Sequence, residues 1–122
     1  MHAQHSLAEW LTYIEGQHPK NIALGLDRVR TVWANLGAPA PAQQVISIAG
    51  TNGKGSSVAI LQAILQAAGY RVGAYTSPHL LTYNERVNIA GCSASDEVLC
   101  EAFAQIEQAR GTVPLTYFEY GT

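Results

Sequence analysis

Apolar residues recur at helical spacing near the start of the chain, at Leu7, Trp10, Leu11 and Ile14. Ser6-Leu7-Ala8-Glu9 has the spacing of a capping box, in which Ser6 accepts from the backbone three residues on and Glu9 reaches back. Gly16 and Pro19 end this predicted helix. Leu26, Val29, Trp33 and Leu36 repeat the spacing, closed by Gly37, and Ala38-Pro39-Ala40-Pro41-Ala42 is a short stiff connector. The pattern then changes. Val45-Ile46-Ser47-Ile48-Ala49 is a largely β-branched apolar run between Pro41 and Gly50, which predicts a strand buried on both faces. A glycine-rich loop, Gly50 to Gly55, leads into a predicted helix from Ser56 to Ala68, apolar on most sides, with Gln62 and Gln66 sharing an outer stripe and Gly69 as its cap. Tyr70 to Thr76 predicts a second strand. The unit from Val45 to Thr76 has the length of a βαβ crossover, so the two strands are expected to be parallel, with a right-handed connection.

Ser77-Pro78-His79 opens an irregular stretch, and Glu85 to Ile89 reads as a short strand. Asp96 to Arg110 predicts a helix with Val98, Leu99, Ala102, Phe103 and Ile106 inward, stopped by Gly111. Thr116-Tyr117-Phe118-Glu119 repeats the capping-box spacing, announcing a helix just before Thr122. A cap with no helix behind it predicts that the chain is the N-terminal piece of a longer protein. The expected fold class is α/β: the start of a parallel-sheet domain, with 1–44 as a helical lead-in and 45–122 as a βαβ unit plus a following strand and helix.

The 122 residues are 48% hydrophobic but only 13% charged, about half the usual ~25%. That balance excludes disorder and fits a piece with surface missing. The net charge is −2 and the seven Lys and Arg are scattered, so nothing marks a nucleic-acid or anionic-membrane partner. No stretch approaches the ~18 apolar residues of a membrane span. The first residues lead into no apolar signal-peptide region. Cys92 and Cys100 have neither a CxxC spacing nor a disulfide framework and read as free thiols of a reducing, cytoplasmic compartment.

The sharpest chemical signal is Gly50-Thr51-Asn52-Gly53-Lys54-Gly55-Ser56. It departs from the usual G-x-x-x-x-G-K-[ST] P-loop, because its first two glycines are closer together and Gly55 separates Lys54 from Ser56. The mechanism survives the departure. Glycines let backbone N–H groups turn toward phosphate oxygens, the following helix points its positive N-terminus at the same place, and Lys54 supplies a charge for the β/γ-phosphates. An ordinary glycine-rich loop is the competing reading. If the strands are parallel, Ala49 and Thr76 end at one sheet edge, where ligands of open α/β sheets sit. The Ser77 hydroxyl could then reach a phosphate-bound Mg²⁺, or simply form an ST-turn ahead of Pro78. His79 reads as a loop histidine.

These motifs, with Tyr75-Thr76-Ser77-Pro78-His79-Leu80, Asn84-Glu85-Arg86-Val87, Leu24-Gly25-Leu26-Asp27-Arg28-Val29 and Leu115-Thr116-Tyr117-Phe118-Glu119-Tyr120-Gly121, resemble the bacterial bifunctional folylpolyglutamate synthase/dihydrofolate synthase family, the folate branch of the Mur-ligase-like ATP-dependent amide ligases. The resemblance runs from about Leu7 to Thr122. It implies an enzyme that uses ATP and Mg²⁺ to join L-glutamate to 7,8-dihydropteroate, or to the terminal glutamate of a tetrahydrofolate species, through an acyl phosphate. By resemblance, Thr51, Asn52, Gly53, Lys54, Gly55 and Ser56 hold the triphosphate and Lys54 is catalytic, neutralising charge as the phosphoryl group moves. Ser77 would ligate Mg²⁺. Ala23, Leu24, Gly25 and Leu26, with Thr116, Tyr117, Phe118 and Glu119, would line the pterin site, where the residues alone show only a helix start and a cap. The family is several times longer and carries further metal ligands and a C-terminal glutamate-binding domain. A piece of this length is therefore expected not to ligate alone, and the whole enzyme to be a cytoplasmic monomer. The competing functions are a nucleotide-binding module without ligase activity and a cell-wall Mur ligase, which shares Gly-Thr-Asn-Gly-Lys.

Overall fold

The computed structural model of the chain describes residues 5–17 and 25–122. They form two compact units, one from the residues up to Pro41 together with Asp96–Thr122, the other Ala42–Ser95.

In the first unit, α1 (Leu7–Glu15) begins at the expected capping box: the Glu9 N–H donates to Ser6 Oγ at 3.3 Å and the Ser6 N–H to Glu9 Oε2 at 2.7 Å. α2 (Asp27–Asn35) follows, then α3 (Asp96–Arg110) and α4 (Tyr117–Gly121). α1 and α2 both pack on α3, and α1 also meets α4. The core is Leu7, Trp10 and Ile14 from α1, Val32 from α2, Leu99 and Phe103 from α3, and Leu115 and Tyr120 around α4. A fully buried apolar side chain of this size is worth about 1.5–3 kcal/mol, so this small cluster is what holds the unit together. Two expected faces are corrected. On α2 the buried residue is Val32, while Leu26, Trp33 and Leu36 are exposed; on α3 Val98 and Ala102 are exposed. Each helix carries more apolar residues than one contact covers, so periodicity finds the helix but not its seat. The cap at Thr116 is not left empty either, because the one-turn helix α4 forms behind it.

The second unit departs further from the sequence pattern. The 45–49 run forms no strand, and Val45 and Ile46 are 67% and 60% exposed. No described element offers this run a ladder, and a strand exists only where a partner accepts its hydrogen bonds. The helix α5 (Lys54–Ala67) starts two residues earlier than expected, directly after Gly53. Its stripe is inverted. Ile60 and Ile64 are exposed, whereas the Gln62 amide donates to Asn88 Oδ1 at 2.6 Å and Gln66 lies against Gly91. β1 (Gly73–Tyr75), β2 (Val87–Ile89) and β3 (Cys92–Ser93) form an antiparallel sheet in the order β1-β2-β3. The expected parallel pair is absent among the described residues; β1 pairs instead with β2, which returns after a short connection, as antiparallel neighbours do. That connection contains the 3₁₀ turn Tyr83–Arg86 and a cis Ser77–Pro78 peptide bond.

Candidate functional site

In the second unit, the segment from Thr51 to Ser56 is exposed throughout. Gly53 sits in the left-handed region at φ 75°, a conformation that costs an L-residue about 1–2 kcal/mol. It turns the chain directly into the first turn of α5, whose opening residue is Lys54. An α-helix leaves its first amides without intrahelical partners. α1, the 83–86 turn and α4 satisfy theirs with capping boxes; α5 has no side-chain cap and no acidic residue in its first turn. Amides of Lys54, Gly55 and Ser56, the helix dipole and one ammonium group thus share an accessible end, which suits an anion.

Ser77 lies in the same unit, exposed, two residues beyond β1. The loop that follows it is held by Glu85 and Arg86, to which the sequence pattern assigned no such role. Glu85 accepts from the N–H groups of Leu80, Leu81 and Thr82 at 3.0, 2.8 and 2.7 Å, and these backbone bonds hold its carboxyl below the usual range. The buried Arg86 donates from Nε to His79 Nδ1 at 2.8 Å, and its guanidinium lies 5.1 Å from the Tyr83 ring centre. His79 Nδ1 is therefore an acceptor. The signal for Glu85 was present: Thr82-Tyr83-Asn84-Glu85 has the same spacing as Ser6–Glu9, and both of its capping bonds form.

Among the described residues no group of three or more His, Cys, Asp or Glu could hold a metal ion. Mg²⁺ usually keeps several waters and takes only one or two protein oxygens beside substrate phosphates. The Ser77 hydroxyl is one exposed oxygen of the kind such an ion accepts.

The remaining predicted residues belong to the first unit. Ala23 and Leu24 lie outside the described residues. Gly25 and Leu26 are exposed at the start of α2, with Leu26 as its N-cap. The structure brings this end to the 116–119 stretch: Arg28 Nε lies 3.0 and 3.2 Å from the two Glu119 carboxylate oxygens. Glu119 also accepts from the Thr116 N–H at 3.0 Å, closing the cap of α4. Burial pushes its carboxyl up, but the Arg28 and Thr116 bonds outweigh this and hold it below the usual range. Thr116 is buried and Tyr117 half-buried, while Phe118 is 52% exposed.

Behind α4 lies a polar network with no counterpart in the sequence reading. Glu107 on α3 accepts from Tyr13 Oη at 2.7 Å, from Tyr120 Oη at 2.8 Å and from both arms of Arg110, at 2.7 and 2.8 Å. Burial raises the Glu107 carboxyl, but the four donors and the Arg110 charge prevail and bring it to about 2. The same desolvation, with the carboxylate beside it, pushes the Tyr120 phenol well above its ordinary value.

No family model matches the chain. Among characterised proteins it is 53% identical over 116 residues to the dihydrofolate synthase/folylpolyglutamate synthase of Escherichia coli, a match that covers 95% of this chain and 28% of that protein. Its fold matches the Escherichia coli FolC protein in complex with DHPP and ADP at a TM-score of 0.94, with 52% identity over 98% of this chain and 29% of that one. It matches a bifunctional folylpolyglutamate synthase/dihydrofolate synthase with Mn, AMPPNP and L-glutamate bound at 0.90, with 50% identity, again over 98% of this chain and 29% of that one. The chain thus spans under a third of the length of these relatives. Over the length it spans, in sequence and in its Mur-ligase-like α/β fold, the chain belongs to the dihydrofolate synthase/folylpolyglutamate synthase family.

Proposed function

We propose that the chain carries the nucleotide-binding end and part of the pterin-binding end of an ATP-dependent ligase. The enzyme joins L-glutamate to 7,8-dihydropteroate, or to a folate polyglutamate, through an acyl phosphate. The observation that carries this reading is the uncapped first turn of α5 behind Gly53, in a chain 53% identical to a dihydrofolate synthase/folylpolyglutamate synthase.

The chemistry requires a nucleotide site of this kind. A carboxylate resists attack by an amine because its leaving oxygen would carry two charges. Transfer of the γ-phosphoryl group of ATP makes phosphate the leaving group, and the protein's work is mainly positioning and charge neutralisation. Thr51 to Ser56 wrap the triphosphate with backbone N–H groups, and Lys54 neutralises charge as it moves toward the leaving β-phosphate. Mg²⁺ supplies further neutralisation when bound, with the Ser77 hydroxyl as one of its oxygens. Glu85 and Arg86 keep the loop after Ser77 in one shape. Gly25, Leu26 and Thr116 to Glu119 line the site of the ring-bearing substrate. The remaining metal ligands, the glutamate site and the rest of the sheet are supplied by the intact enzyme, so the 122 residues alone form no product from ATP, dihydropteroate and glutamate. We place the reaction in the cytoplasm, whose reducing conditions suit the two unpaired cysteines.

Lys54→Ala in the intact enzyme tests the site. Loss of one charge-assisted phosphate contact should weaken ATP binding by about tenfold to a hundredfold and lower kcat further. Unchanged nucleotide affinity by calorimetric titration would overturn the assignment of this loop.

A further inference from the structure

We infer that Arg28 is a specificity-determining residue for the ring-bearing substrate, with one arm fixing α4 and the other donating to an uncharged acceptor on the bound ring. The inference rests on the reading that 116–119 line that substrate's site. α4 has only five residues, too few to hold a helix by itself, so its position is set by what grips it. On one side the buried Tyr120 hangs on Glu107. On the other, Glu119 is gripped by Arg28 Nε through both carboxylate oxygens. The side chains of this pair are only 26% and 7% exposed.

Arg28 is not used up by that contact. A guanidinium presents five donors in a fixed planar fork. Its Nη2 is buried and, among the described residues, has no hydrogen-bond partner. Leaving such a donor unmatched is costly, and the cost disappears if a ligand supplies the acceptor. The donor belongs to the first turn of α2, two residues after the exposed Leu26, and its partner Glu119 adjoins the exposed Phe118. The ligand group should be neutral. Arg28 and Glu119 already cancel each other's charge, so a second carboxylate would compete with Glu119, whereas a ring carbonyl or ring nitrogen would not.

The discriminating variant in the intact enzyme is Arg28→Lys, which keeps a cation for Glu119 but removes the second arm. Arg28→Lys should raise KM for dihydropteroate about tenfold, leave KM for ATP unchanged, keep kcat within about twofold and preserve the melting midpoint. Arg28→Ala should raise the same KM at least as far and also lower the melting midpoint. Phe118→Ala serves as the control on the underlying reading. If Phe118→Ala leaves the dihydropteroate KM unchanged, the 116–119 site fails and this inference with it. If Phe118→Ala raises that KM while Arg28→Lys does not, the site stands and the second arm of Arg28 has no part in it. A rise in the ATP and dihydropteroate KM values together in Arg28→Lys would likewise overturn the inference, since it marks a general structural role.

Discussion

The turn from Gly50 into α5 and the network around Glu107 solve opposite problems. The turn is exposed, built largely from backbone, and leaves donors without a side-chain cap. The network is half-buried, built from side chains, and every oxygen of its carboxylate is taken. The first is arranged for something to arrive; the second is already satisfied. A binding end can be read from donors left open, and a structural joint from donors and acceptors that close on each other. Arg28 lies between these extremes, with one arm matched and one not.

The contrast can be broken by experiment. The largest effect on stability should come from Glu107→Ala, which leaves the Arg110 guanidinium largely buried without its partner. Breaking a buried pair from one side costs about 3–5 kcal/mol, while Glu107 and Arg110 side chains are only 12% and 13% exposed. Denaturant unfolding of wild type, Glu107→Ala and the double variant Glu107→Ala/Arg110→Met should show the double variant recovering part of the loss. A single variant within experimental error of wild type would show that the network is not a joint.

Acid gives the next largest change. The Glu107 carboxyl falls from 4.5 to about 2 in the folded protein. A depressed folded value contributes stability that is fully present above the unfolded value and is lost as pH falls. The window therefore runs from just above 4.5 down to about 2, and the contribution is of order 3 kcal/mol at neutral pH. The difference in unfolding free energy between wild type and Glu107→Ala should shrink across that window. A difference independent of pH would mean that the carboxylate charge is not what the network holds.

The smallest change should come from Gly53→Ala. A Cβ there meets nothing within 4 Å, so the cost is backbone strain alone, about 1–2 kcal/mol at φ 75°. Nucleotide affinity should fall more than stability does, because the strain is relieved by turning the amides away. Equal losses in both would sever the turn from binding.

What the sequence disclosed follows the range of the interactions. The caps at Ser6 and Thr116, the span of α3 and the glycine turn depend on residues a few positions apart, and these emerged as expected. Thr82–Glu85 was equally local and was missed although its spacing was present. The Val45–Ala49 run failed differently: β-branched apolar residues record that a surface prefers cover, and no described element supplies the cover. The Gln62 and Gln66 stripe departs from the polar-outward rule because Asn88 offers Gln62 a half-buried partner. Tyr13 and Glu107 are 94 positions apart, Arg28 and Glu119 are 91 apart, and no periodicity links them. The spacing of 116–119 disclosed a cap, and only the family resemblance implied a binding role for it; neither pointed to Arg28 as the partner of Glu119.

The carboxylate that accepts hydrogen bonds from two phenols and a guanidinium also restricts how this region can change over generations. Removing Glu107 takes the shared acceptor from Tyr13, Tyr120 and Arg110 at once, so substitutions at these four sites should be energetically coupled. Viable alternatives differ at several of them together. Among distant descendants the quartet should be either kept whole or exchanged wholesale for an oily patch of similar volume, with few mixtures surviving.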